Sequence, residues 1–109
     1  MLINFDEFRI RLKSSGLKVF RDKAPKNTAF PYLVYSSGNV SEVWGSSKSG
    51  ATLCEYQISL FTTGTEQELL PINRLLNDIP HQPWRSQQAD ENDDTITNFF
   101  TFVRVLVDE

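Results

Sequence analysis

Cys54 and His81 are the only cysteine and the only histidine in the chain, and together they limit the chemistry it can perform. A lone cysteine excludes an internal disulfide framework and any multi-cysteine zinc or iron–sulfur site. A Ser-His-Asp or Cys-His device would have to use His81. That residue sits between prolines in Pro80-His81-Gln82-Pro83, and no nucleophile elbow occurs anywhere in the sequence. An exposed loop histidine is expected. The acidic run Asp90-Glu91-Asn92-Asp93-Asp94 offers oxygen ligands at alternate positions, as a calcium loop does. It lacks the loop's other requirements: Thr95 stands where the sharp turn needs glycine, and Thr101 where a bidentate glutamate is needed. A solvated hairpin tip is the expectation. Gly38, Gly45, Gly50 and Gly64 are too scattered for a phosphate-cradling loop. Phe99, Phe100 and Phe102 lie in a valine-rich strand, where core packing is a more natural use than base stacking. No catalytic residue, cofactor or metal ligand is therefore assigned.

The elements that must position these residues follow from spacing. Phe5, Phe8 and Leu12 recur at three and four residues, and Asn4 with Glu7 forms a reciprocal cap, which predicts a helix stopped by Gly16. Residues 17–20 form a short strand, and residues 21–29 an exposed connection rich in lysine, with Pro25 and Asn27. Phe30-Pro31-Tyr32-Leu33-Val34-Tyr35 is a strand with apolar residues on both faces. Residues 36–50 are dominated by serine and glycine, with Val40, Val43 and Trp44 as the apolar exceptions, which predicts a flexible loop or protruding hairpin. Trp44 is either tucked onto the body or kept for a partner.

Residues 53–62 alternate cleanly. Cys54, Tyr56, Ile58 and Leu60 point to a core, which makes Cys54 a small buried hydrophobe, while Glu55, Gln57 and Ser59 point to water. A second helix carries the stripe Leu69, Ile72, Leu75, Leu76 and Ile79 behind a Thr65/Glu68 capping box, and Pro80 ends it. Pro71 implies either an irregular first turn or a regular helix that starts near Glu68. Residues 82–88 form an edge strand with Trp84, residues 89–94 a turn, and residues 95–107 a closing strand. In that closing strand Phe99, Thr101, Val103, Val105 and Val107 share one side. The predicted fold is α+β: a largely antiparallel sheet with two helices packed on one face.

At 109 residues, 39% hydrophobic and 23% charged, the chain is expected to be a single globular domain spanning 1–109. No apolar run approaches the roughly 18 residues of a membrane span. The opening Met1-Leu2-Ile3-Asn4-Phe5-Asp6-Glu7 is unlike a signal peptide, so a cytoplasmic location is expected. The net charge of −3 is unevenly spread. Through Lys26 the seven bases Arg9, Arg11, Lys13, Lys18, Arg21, Lys23 and Lys26 face three carboxylates, and beyond it four bases face eleven. A pI near 5.1 argues against tight wrapping of nucleic acid. The charges are either solvated faces or the two halves of a head-to-tail contact between copies.

The order of segments carries a resemblance over most of the chain. Its carriers are Val19-Phe20 leading to Phe30-Pro31-Tyr32-Leu33-Val34-Tyr35, the polar segment 36–50, Tyr56-Gln57-Ile58-Ser59-Leu60-Phe61-Thr62-Thr63, the helix at 66–78 and the closing strand at 98–106. In this order the chain resembles the small tail-terminator and tail-completion (head–tail joining) proteins of tailed bacteriophages. The resemblance implies a non-enzymatic structural protein that assembles with itself as a hexameric ring on the finished tail tube and ends its elongation. It also implies contacts with the tail tube protein and the head–tail connector proteins, passage of DNA without specific binding, and a final place in the virion. The residues singled out for protein contacts are Val40, Val43 and Trp44 in the polar segment, Arg9, Arg11 and Lys13 at the basic front, and Asp90, Asp93 and Asp94 at the acidic rear. Two alternatives stand beside this reading: an acidic binding module of the immunity or inhibitor type, and a metal-assisted hydrolase built on the acidic turn.

Overall fold

The computed structural model describes residues 3–42 and 51–108. In chain order the elements are β1 (Ile3–Asn4), α1 (Phe5–Lys13), β2 (Lys18–Arg21), β3 (Tyr32–Glu42), β4 (Ala51–Thr62), a 3-10 turn (Glu66–Glu68), α2 (Leu70–Leu75), β5 (Arg85–Asp90) and β6 (Asp93–Asp108). The strands form one sheet. β6 and β4 lie at its centre, with β3 and then β2 beyond β4, while β1 and β5 both pair with the far side of β6.

The sheet is mixed, which corrects the expectation of a largely antiparallel one. β3–β4, β4–β6 and β5–β6 are antiparallel, but β2–β3 and β1–β6 are parallel. Side-chain alternation tells which residues share a face and is silent on strand direction. Direction is set by the connections. The segment between β2 and β3 is long enough to bring the chain back to its starting end, as parallel pairing requires, whereas β5 and β6 are joined by a two-residue turn.

The inner face is the core. Leu33 and Tyr35 of β3, Cys54, Tyr56, Ile58 and Leu60 of β4, and Phe99, Thr101, Val103 and Val105 of β6 are buried there, in the parity the alternation predicts. α1 lays Phe8 and Leu12 onto this face, both fully buried. The Phe8 ring stands edge-on to Tyr35 at 5.7 Å and lies 5.3 Å from Tyr56. Burial pushes the Tyr56 phenol above its ordinary pKa.

Asn4 caps α1 by accepting a hydrogen bond from the Glu7 backbone N–H at 2.8 Å. Only half of the reciprocal cap forms, because the Glu7 carboxylate is taken by Arg11 at 3.2 Å. Gly16 adopts φ +82°, the left-handed geometry that glycine reaches without strain.

α2 is much shorter than the predicted helix over 66–78. Thr65 caps a 3-10 turn, its hydroxyl accepting from Gln67 N–H at 3.4 Å, and regular helix begins only at Leu70, with Pro71 in its first turn. Proline lacks an N–H and is accommodated where that N–H has no intrahelical partner, so Pro71 sets where α2 starts. Beyond Leu75 the backbone tightens into bonds three residues apart, such as Leu76 N–H to Asn73 O at 3.1 Å. The stripe still works: Ile72, Leu76 and Ile79 are buried against the sheet. Trp84 lies just before β5 rather than within it, and its indole N–H donates to Asn73 Oδ1 at 2.9 Å, tying that connection to α2.

Candidate interaction surface

The two helices leave the other face of the sheet without a covering layer among the described residues. Its parity carries aromatic rings: Phe20 of β2, Tyr32 of β3, Phe61 of β4, and Phe100 and Phe102 of β6, with Phe30 at the margin. Tyr32 is the hub. It stacks on Phe61 at 5.2 Å and on Phe30 at 5.5 Å, and meets Phe20 edge-on at 6.0 Å. Burial among these rings raises the Tyr32 phenol pKa. The rings cover the smaller residues between them, so Val34, Ser59 and Asn98 are buried. Asn98 Oδ1 is buried there without a hydrogen-bond partner among the described residues, an arrangement that costs about 1–3 kcal/mol relative to a satisfied amide. The expectation that the second face of β4 is simply wet is thus corrected. The signal for it was present in the sequence, since Phe100 and Phe102 fall on the parity opposite the core, but it needs the strand order to become a surface.

The charges separate along the sheet. Lys18 and Arg21 are exposed on β2, one edge strand, and Lys23 and Lys26 follow directly. Asp90 ends β5 at the opposite edge, and Asp93 and Asp94 open β6 across the two-residue turn. Short hydrogen bonds shape that turn. Asp90 Oδ1 accepts from Asn92 N–H at 2.9 Å, and Asp93 Oδ1 accepts from the Thr95 hydroxyl and N–H. The Thr95 hydroxyl bond, helped by the backbone one, holds the Asp93 carboxyl below its usual pKa.

The predicted contact residues are placed as follows. Arg9 is exposed on α1, its guanidinium 5.8 Å from the Phe5 ring centroid, with Arg21 on the same ring at 5.5 Å. Arg11 turns inward toward α2, donating to both oxygens of Asp78 and to the Leu75 carbonyl besides Glu7. That pairing raises the Arg11 pKa and holds the Asp78 carboxyl low. Lys13 is exposed in the last turn of α1, where a cation suits the helix dipole. Val40 lies in β3 opposite Cys54. Val43 and Trp44 lie outside the described residues. Of the described members of this set, the bases lie on α1, Val40 in β3, and the acids at the β5–β6 turn, so they do not form one patch within a single copy. Two further bases, Lys18 and Arg21, lie on β2.

His81 is half-buried rather than an exposed loop residue. It forms an isolated bridge to Val103, and its Nδ1 lies 2.7 Å from the Ile79 carbonyl. With Pro80, Gln82, Glu55, Phe102 and Arg104 it lines an open recess of about 220 Å³. Cys54 is buried, as its parity predicts. Among the described residues no three His, Cys, Asp or Glu side chains are grouped to hold a metal ion, and no helix is long and apolar enough to cross a membrane.

No protein-family model matches the chain. No curated sequence matches it significantly. Among solved structures, the fold is similar to a chain in the "Virion of native gene transfer agent (GTA) particle", with a TM-score of 0.60 over 96% of this chain and 91% of that one, at 13% sequence identity.

Proposed function

We propose that this chain is a structural protein of a phage-like particle: it caps the tail tube as a hexameric ring, ends tail elongation and takes part in joining tail to head. The reading is carried by the near full-length fold likeness to a chain of a gene transfer agent virion, which agrees with the tail-terminator order of segments in the sequence. Two features of the surface support it. An aromatic sheet face that no helix covers among the described residues suits a protein built for contact. Charges of opposite sign at opposite sheet edges suit copies arranged head to tail. A net negative chain also lets DNA pass without being held. On this reading the protein works through contacts rather than catalysis, with the tail tube protein and head–tail connector proteins as partners, first in the host cytoplasm and then in the virion.

Deleting the coding sequence in a cell that makes the particle tests the reading. Tails of uncontrolled length and unjoined heads, seen by electron microscopy and reversed by supplying the chain in trans, are expected. Particles of normal length and normal yield would overturn it.

A further inference from the structure

We propose that the contact between copies is made by the two free edges of the sheet, β2 of one copy against β5 of the next, so that the sheet continues from copy to copy around the ring. The proposal rests on the ring reading above and adds to it the surface that builds the ring.

Register makes the two edges match. Following partners across the sheet, Lys18, Tyr32, Phe61, Asn98 and Gln87 share one rung, Val19 and Ser86 end the next, and Phe20 and Arg85 end the third. The two edges therefore present strands at the same height. Among the described residues no strand pairs with the outer side of either.

Strand direction also fits. β2 runs parallel to β3, β3 and β6 both run antiparallel to β4, and β5 runs antiparallel to β6, so β5 runs opposite to β2. Copies related by rotation about an axis along the strands would then meet as an antiparallel pair, in which each backbone N–H and C=O at the joint can find a partner. With the rungs level, Arg85 of one copy meets the Phe20 ring of the next, a cation on an aromatic face, and Gln87 meets Lys18.

Charge selects this pairing over the two self-pairings. At its start the β2 edge carries Lys18, with Lys13 on the approach to it, while Arg21, its guanidinium over the Phe5 and Tyr35 rings, and Lys23 lie at the far end. The β5–β6 hairpin carries Asp90, Glu91, Asp93 and Asp94 at the end of the edge that lies level with the Lys18 end of β2. Among the described residues none of these bases or acids is in an ion pair. Two β2 edges brought together would stack bases on bases, and two β5 hairpins acids on acids. Unlike edges attract and like edges repel, which favours a head-to-tail series over a two-fold dimer, and it is the ring reading above that closes this series.

The test is covalent trapping of the joint. In a Cys54→Ala background, Lys18→Cys and Gln87→Cys are made singly and together, and each protein is treated with a short bis-maleimide at concentrations where the wild type assembles. The double variant is expected to give a ladder of covalent oligomers ending at the ring, and neither single variant any dimer. A dimer from a single variant, or rings of normal mass with no ladder, overturns the edge contact while leaving the ring intact. A wild-type chain that stays monomeric even with tail tubes present would instead sink the ring reading itself.

Charge reversal gives a readout that does not touch Cys54. Asp90→Lys with Asp93→Lys and Asp94→Lys, and separately Lys13→Glu with Lys18→Glu, are each expected to raise the concentration needed for assembly by about tenfold or more, and mixing the two proteins to restore it. Assembly unchanged in both variants overturns the proposal.

Discussion

At the scale of single residues, the stability of the chain rests on a few fully buried side chains and on one permissive backbone position. Phe8 is fully buried against the Tyr35 and Tyr56 rings, so Phe8→Ala should destabilise by about 3–5 kcal/mol in a denaturant titration, chiefly through the cavity it leaves. Gly16 has open space where a Cβ would stand, so Gly16→Ala tests conformation alone. A loss of about 1 kcal/mol is expected from the left-handed φ. Asp78 tests electrostatics. Arg11 lowers its folded pKa beneath the unfolded value of about 3.9, so its stabilisation is complete above that pH and is lost as pH falls through the folded value. Asp78→Asn should therefore melt lower than wild type near neutrality, and the gap should narrow on acidification below pH 4. A constant gap would place the effect elsewhere. Cys54 was legible from strand parity alone. His81 was not, because a histidine between prolines reads as loop, while its bridge to Val103 comes from a distant strand.

At the scale of elements, local pattern was a good guide wherever one face was buried and a poor one wherever geometry came from afar. α1, its cap and its glycine stop, the parity of β4 and the inner parity of β6 all follow from spacing. The apolar stripe of α2 predicts a longer helix than forms, because it continues through residues that fold as tight turns and is buried by either geometry. The acidic turn is narrower than its sequence predicts for a related reason: Asp90 and Asp93 supply their own side-chain acceptors to the backbone, which lets two residues close the hairpin. Asp93→Ala removes an acceptor that serves both Thr95 groups. It should loosen this tip, seen as faster amide exchange at Thr95, while the core strands keep their protection. The parallel pairs β2–β3 and β1–β6 had no signature in either strand.

At the scale of the whole molecule, the contact surfaces emerge only when the strands are placed in order. The sequence shows a basic front and an acidic rear, but not that β2 and β5 are the two edges of one sheet with matched rungs. Nor does it show that Phe20, Tyr32, Phe61, Phe100 and Phe102 come together on the face the helices leave open. That face gives a further expectation. Phe102 is only partly buried and belongs to the outer parity, so Phe102→Ser should change thermal stability less than Phe8→Ala yet weaken binding to the partner proteins of the particle, measured by co-sedimentation. Equal losses of stability in the two variants would make Phe102 core rather than contact. The proposed role of the whole molecule is to close the end of a tail tube. Its most direct test is to mix the purified chain with tubes assembled from the tail tube protein of the same particle and image the tube ends by cryo-electron microscopy. A six-fold ring of this chain seated on one end of each tube, with elongation stopped there, is expected. Bare ends and continued growth in the presence of excess chain would contradict it.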